Sequence, residues 1–169
     1  MAAAELHARV MASRLHVIVA DATPTRSTTE GVDEAMQRAV LYLEHLEQRW
    51  SRFIPTSDVS RINRLGPSGG TIEIDPSTLT LLATMIEGHE RTAGRYDPTL
   101  LREVVAVGYS ASRLDPTMIS VFGAPAEHRA SLHDLELDPA ASTVTVPPGL
   151  VIDPGDDSPL PGPTSMKTR

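Results

Sequence analysis

The sequence contains no cysteine among its 169 residues. This absence excludes disulfide frameworks, thiolate metal sites and cysteine nucleophiles, and also an N-terminal lipid-modified cysteine. Aromatic residues are scarce as well, because they make up only 4% of the chain. Each aromatic side chain that falls within a motif therefore calls for an explanation.

Positive charge is in the minority, and long hydrophobic runs are missing. Lys and Arg number 15 against 22 Asp and Glu, so the formal net charge is −7. No basic stripe is present, which argues against a nucleic-acid or anionic membrane surface. Glu5 and Arg9 interrupt the N-terminal segment where a secretory signal would need an apolar core. We therefore predict no signal peptide, no membrane span and a cytoplasmic location.

The spacing of apolar residues predicts an α+β domain of mixed strands and three main helices. Its clearest feature is a helix over 29–51, with a Ser27–Glu30 capping box and an apolar stripe from Val32 to Trp50. We expect this stripe to face the core, the alternative being contact with a partner protein or a second copy. The other main helices are expected over 75–92 and 98–107, a short helix over 57–66, and strands over 13–21, 71–74, 135–138, 142–147 and 150–153.

The two ends of the chain differ from this ordered part. We expect residues 1–10 to be a flexible N-terminus. Residues 154–169 have no apolar period and are dense in Pro, Gly and Ser, which is typical of disorder. The predicted ordered domain therefore covers residues 11–153.

The stretch "TAGRYDPT", residues 92–99, indicates a break between two helices. Gly94 can take the left-handed conformation that ends a helix. Asp97 can cap the next helix, and Pro98 suits its first position, where a missing N–H costs nothing. Capping alone does not require Tyr96, so this aromatic residue points to a further role.

Local motif rules find no catalytic or metal-binding pattern. The six histidines are scattered, without an HxxxH or HxH spacing. The glycine patterns GxGxxG, P-loop and GxSxG are missing too. These rules therefore predict no metal ligands and leave the catalytic residues unknown.

Four stretches, taken in order along the chain, indicate more than these local rules do. They are "MASRLHVIV" (11–19), "RWSRFIPTSDVSRIN" (49–63), "TAGRYDPTLLREVVAVGYS" (92–110) and "STVTVPPGLVIDPG" (142–155). Together they resemble the ApbE family, the FAD:protein FMN transferases. The resemblance implies that residues 11–153 form the N-terminal part of that family's T-fold-type domain.

The resemblance also implies an FAD site. In the family an aromatic residue stacks on the cofactor, a methionine packs near it, and the G-x-[FY]-D turn touches the flavin dinucleotide. The alternatives are that Asp97 is only a helix cap and that Phe53 and Met11 only pack against other side chains. The implied FAD-binding residues are Met11, Phe53, Arg95, Tyr96, Asp97 and Asp153.

The implied reaction moves FMN from FAD to a Thr or Ser hydroxyl of an acceptor protein, with Mg²⁺ as the expected cation. The sequence departs from the family after Gly155, where the D-x-G-G-x-x-K-G loop should continue. The lysine of that loop and the later metal-holding segment are missing. An inactive flavin-binding remnant or a protein-interaction fragment is therefore the alternative to a working transferase.

Overall fold

The computed structural model describes residues 4–20, 31–112, 115–120, 122 and 130–155. These residues form a mixed α and β structure, as predicted. None of the helices in these ranges is long and apolar enough to cross a membrane. The helices are α1 (Val32–Trp50), α2 (Asp58–Leu65), α3 (Pro76–Arg91), α4 (Leu101–Ala106) and a 3₁₀ turn at Leu132–Asp134. The strands are β1 (Ala4–Val10), β2 (Ser13–Val19), β3 (Gly70–Glu73), β4 (Glu136–Asp138) and β5 (Thr143–Val146).

The N-terminal residues form a β-hairpin. β1 and β2 pair antiparallel in a register that sets Ala4 opposite Val19 and Val10 opposite Ser13. Met11 and Ala12 make the turn with φ of 51° and 62°, the positive values that match the twist of a two-residue hairpin turn. The structure therefore corrects the expectation of a flexible terminus over residues 1–10, because Ala4–Val10 form β1. Its backbone groups pair with β2, and α1 packs against it.

The second sheet carries the main core. It has the strand order β3-β5-β4, with all neighbours antiparallel. Alternation along β5 buries Val144 and Val146 completely or nearly so, and α2 and α3 contribute to the same core. Its buried members are Val59, Ile62, Ile74, Leu79, Leu82, Met85, Leu132, Leu135, Val144, Val146, Leu150 and Ile152.

Capping residues begin two helices at the predicted places. The Ser57 hydroxyl accepts the Ser60 N–H at the start of α2, and Asp75 accepts the Ser77 N–H at the start of α3. Such bonds satisfy donors that a helix start leaves without partners. α1 instead begins after Gly31, and the proposed Ser27–Glu30 box lies outside the described residues.

α4 is shorter than predicted. It begins at Leu101 rather than at Pro98. Asp97 Oδ1 accepts both the Thr99 N–H at 2.9 Å and the Thr99 hydroxyl at 2.7 Å. This side-chain turn replaces the first turn of helix that Asp97 was expected to cap.

The strand expected over 150–153 is also corrected. These residues are largely buried, but no neighbouring strand within the described ranges pairs with them. Ile152 instead exchanges both of its backbone hydrogen bonds with the Asn63 side chain. We call residues 149–153 the docked segment. The predicted disordered tail falls mostly on residues 156–169, which lie outside the described ranges.

Candidate functional site

A buried arginine stands at the centre of the candidate site. Arg52 follows α1, and its side chain is only 3% exposed. Its guanidinium donates to the Tyr109 carbonyl oxygen at 3.0 Å and to the Ser120 hydroxyl. Its Nε lies 3.1 Å from Asp153 Oδ2, an ion pair whose angles are not those of a hydrogen bond. Arg52 therefore ties the end of α1 to three other parts of the chain.

Phe53 lies against this arginine. The Arg52 guanidinium carbon is 4.2 Å from the centre of the Phe53 ring, within the range of a cation–π contact. The Phe53 N–H donates to the Ser51 hydroxyl at 3.3 Å, which fixes the turn after α1. The ring is half-buried, so it combines a defined position with partial access.

Asp58, in the segment after Phe53, connects two helices through buried hydrogen bonds. Asp58 is fully buried and accepts the Asp75 N–H and the Thr78 hydroxyl, both at 2.9 Å. It also pairs with Arg61 at 2.8 Å. A buried carboxylate is tolerated when partners satisfy it in this way. Asp58 therefore joins α2 to the start of α3.

Asn63 holds the docked segment in place. Its amide donates to the Ile152 carbonyl oxygen at 2.9 Å and accepts the Ile152 N–H at 2.7 Å. Both residues are at most 1% exposed, so water does not compete for these bonds. Asn63 therefore sets the position of Asp153, the next residue along the chain.

Tyr96 closes the site from the α3 side. A Cβ added to Gly88 would lie 3.3 Å from the Tyr96 ring, so the ring packs directly on that part of α3. Its hydroxyl donates to the Pro154 carbonyl oxygen at 3.2 Å, and its own carbonyl oxygen accepts from His89 Nδ1 at 2.9 Å. Burial, followed by the negative charge of Asp153, raises the pKa of Tyr96. The phenol therefore stays protonated and donating at neutral pH.

The turn around Asp97 meets the docked segment directly. The Asp153 N–H donates to the Pro98 carbonyl oxygen at 2.7 Å. Asp97 shapes this turn through Thr99, as described above, and the predicted left-handed Gly94 has a φ of 77°. Two distant motif stretches are thereby brought into backbone contact.

Most of the sequence-predicted site residues come together. Contacts through Arg52, Pro98 and Pro154 connect Phe53, Tyr96, Asp97 and Asp153. Arg95 is exposed beside them. Met11 lies apart from this contact series, in the turn of the hairpin between β1 and β2.

Two residues of this arrangement were missed at the sequence level. Arg52 and Asn63 both fall inside the quoted stretch "RWSRFIPTSDVSRIN", yet neither was assigned a role. Its place directly beside Phe53, the aromatic residue that the resemblance expects to stack, was an available signal for Arg52. Asn63 is the only asparagine in the chain, but nothing local indicates that its partner lies 89 residues away.

Comparison with known proteins places the chain in a family. The profile of the ApbE family matches residues 11–155. The chain therefore belongs to the ApbE family. No curated protein gives a significant match to the sequence.

Solved structures with the same fold include three ApbE proteins. The ApbE protein of Thermotoga maritima has a TM-score of 0.63 at 19% identity, over 90% of this chain. The apo flavinyl transferase ApbE of Pseudomonas stutzeri gives 0.63 at 18% identity over 90%. A variant of the flavin transferase ApbE from Vibrio cholerae gives 0.66 at 16% identity over 91%. The match covers only 47% to 48% of those three chains, so this chain spans about half their length.

Proposed function

We propose that this chain binds FAD as part of an FAD:protein FMN transferase. In that reaction an acceptor Thr or Ser oxygen bonds to the FMN phosphorus of FAD, the bond to AMP breaks, and the hydroxyl proton is released. The observation that carries the proposal is the contact series described above. Through it, Phe53, Tyr96, Asp97 and Asp153 form one connected group at the positions where the family resemblance expects FAD contacts.

The chemistry of this group suits a flavin. Phe53 offers a half-exposed aromatic ring, and stacking on such a ring is worth about 1–3 kcal/mol for a nucleobase. Tyr96 offers a half-buried ring beside Asp153, with its hydroxyl already held by the Pro154 carbonyl oxygen. The Arg52 donors engage protein groups, so we assign Arg52 the role of positioning Phe53 and Asp153 rather than of binding phosphate.

Mg²⁺ is the cation that the family resemblance implies. Mg²⁺ prefers several oxygen ligands. Across the described residues, no three metal-ligating side chains gather beside Asp153. The described residues around Asp153 therefore do not by themselves fit a complete Mg²⁺ site. From the sequence we also propose an acceptor protein with a Thr or Ser target site and a cytoplasmic location.

Binding is tested by titrating the purified chain with FAD and following the quenching of flavin fluorescence. We expect saturable quenching in the wild type and about tenfold weaker binding in Phe53→Ala, since the stacking surface is lost. Phe122→Ala is a matched control, because Phe122 is the only other phenylalanine and also lies under a guanidinium, with Arg102 at 5.0 Å. Equal losses in both variants, or no quenching by a folded chain, would contradict the proposal.

Transfer is tested separately by measuring AMP release from FAD with Mg²⁺ and an acceptor protein. AMP that appears only when an acceptor is present would support the transferase reaction. Saturable FAD binding without AMP would restrict the function to flavin binding. A folded chain that neither binds FAD nor releases AMP would leave the protein-interaction alternative.

A further inference from the structure

The outer face of the N-terminal hairpin carries three metal-ligating side chains. Glu5 and His7 are two residues apart on β1, so both point to the same face of the strand. His16 lies on β2 directly opposite His7 in the register. All three are exposed, on the face that alternation turns away from α1.

The ligand atoms of these side chains already lie close together. The His7 and His16 rings are stacked, with centroids 4.0 Å apart and an interplanar angle of 16°. His16 Nε2 lies 2.9 Å from Glu5 Oε2. One ligand atom from each of the three residues lies within 4.8 Å of the other two. Across the described ranges, no other group of three such residues meets this criterion.

We propose that Glu5, His7 and His16 bind a Zn²⁺ ion. Two imidazoles and one carboxylate form a donor set that zinc accepts, with bonds of about 2.0–2.2 Å. A tetrahedral site with such bonds needs ligand atoms roughly 3.3 Å apart, and the three ligand atoms already lie within 4.8 Å of one another. The exposed side chains have to adjust, because the stacked imidazole rings need to rotate until a nitrogen lone pair of each points at the ion. A water molecule completes the fourth position. Mg²⁺ is not expected there, because it prefers oxygen ligands.

The backbone that presents these ligands is fixed before a metal arrives. Seven residue pairs join β1 to β2, and α1 packs on the inner face of the hairpin. Arg9 and Arg14 form the next pair on the outer face, and their positive charge lowers the affinity for a cation.

The zinc site is separate from the proposed flavin site. His7 lies four residues before Met11, about 13 Å along an extended strand. Zinc binding can therefore be tested without FAD, and its outcome does not depend on the proposed transferase function.

The test is isothermal titration of the full chain with Zn²⁺ at neutral pH, after removal of any polyhistidine tag. We expect one equivalent to bind in the wild type and at least tenfold weaker binding in His7→Ala, His16→Ala and Glu5→Ala. His45→Ala is the matched control, because it removes an exposed histidine that also sits 3.3 Å from a carboxylate, that of Asp75. The control should bind as the wild type does, and excess Mg²⁺ should not compete.

Co²⁺ gives an independent readout of the ligands. A tetrahedral Co²⁺ complex has visible absorption bands that Zn²⁺ should abolish by displacement, and His7→Ala should lack these bands. Far-UV circular dichroism of each variant separates loss of ligands from loss of the fold. Absence of binding by the wild-type chain would overturn the proposal, and so would equal affinities for the wild type and the three ligand variants.

Discussion

Replacing Asn63 by alanine tests whether the docked segment is held as described. The change removes both hydrogen bonds to the Ile152 backbone, at 2.9 and 2.7 Å. A buried backbone group left without a partner costs about 1–3 kcal/mol, so two such groups cost about 2–6 kcal/mol. Alanine favours a helix slightly more than asparagine does, which offsets at most about 0.7 kcal/mol. We therefore expect a net destabilisation of about 1.3–6 kcal/mol, a large part of the total stability of a domain.

Urea unfolding, followed by circular dichroism, measures this effect. Arg64→Ala is the control, because Arg64 is the next residue of α2 and is exposed, and it should change the unfolding free energy by less than about 0.5 kcal/mol. FAD titration of Asn63→Ala then shows whether the docked segment also positions the flavin site. A destabilisation below about 1 kcal/mol would refute the reasoning, since two buried bonds cannot be lost so cheaply.

Two other predictions follow from close packing and from charge. Gly66→Ala places a Cβ 2.6 Å from the Leu150 carbonyl oxygen, and we expect a loss of about 1–3 kcal/mol in urea unfolding. Gly31→Ala meets open space and should cost less, since it loses only the preference of a helix N-cap for glycine over alanine; equal losses would contradict the clash. Burial, and then the charge of Asp153, raise the pKa of Tyr96 in the folded chain. The protonated Tyr96 therefore contributes to the free energy of unfolding in full at pH values below the pKa of an unfolded tyrosine. This contribution is lost as the pH rises through the pKa of folded Tyr96. Asp153→Asn should lower the midpoint of Tyr96 ionisation, measured by ultraviolet absorbance against Tyr96→Phe, and an unchanged midpoint would show that the carboxylate has no effect.

Local sequence signals predicted the helices well where a capping side chain acts on its own helix. Ser57 and Asp75 both cap as expected, because such bonds span only two or three residues. The core-facing interpretation of the α1 stripe holds for Met36 and Leu46, which are buried. These features depend on short-range geometry, which the sequence order already contains.

Signals that depend on a distant partner were missed. The alternation of "AELHARV" was not interpreted as β1, because its pairing with β2 had to be known first. The histidine cluster was missed for the same reason. Spacing rules search for ligands within one segment, whereas His7 and His16 meet across two strands. The docked segment looked like a strand because it is apolar, but a side-chain amide takes the place of a neighbouring strand.

The candidate site contains residues that local motifs predicted and a residue that depends on distant partners. Motif positions selected Phe53, Tyr96, Asp97 and Asp153, and the structure connects them. Arg52 organises that connection, yet its partners at Tyr109, Ser120 and Asp153 lie far along the chain. A residue that acts by joining separate segments leaves little trace in its own neighbourhood.

The docking of residues 149–153 has a consequence for how the chain folds. Asn63 and Ile152 are 89 residues apart. β3 likewise cannot pair until β5 is present, because Gly70 pairs with Val146. Such distant contacts close large loops and slow the search for the native state. During synthesis, α2 and α3 therefore leave the ribosome long before the strand that completes their core. In that interval their apolar faces have no native cover, and this stage is the one at which the nascent chain most needs protection from aggregation.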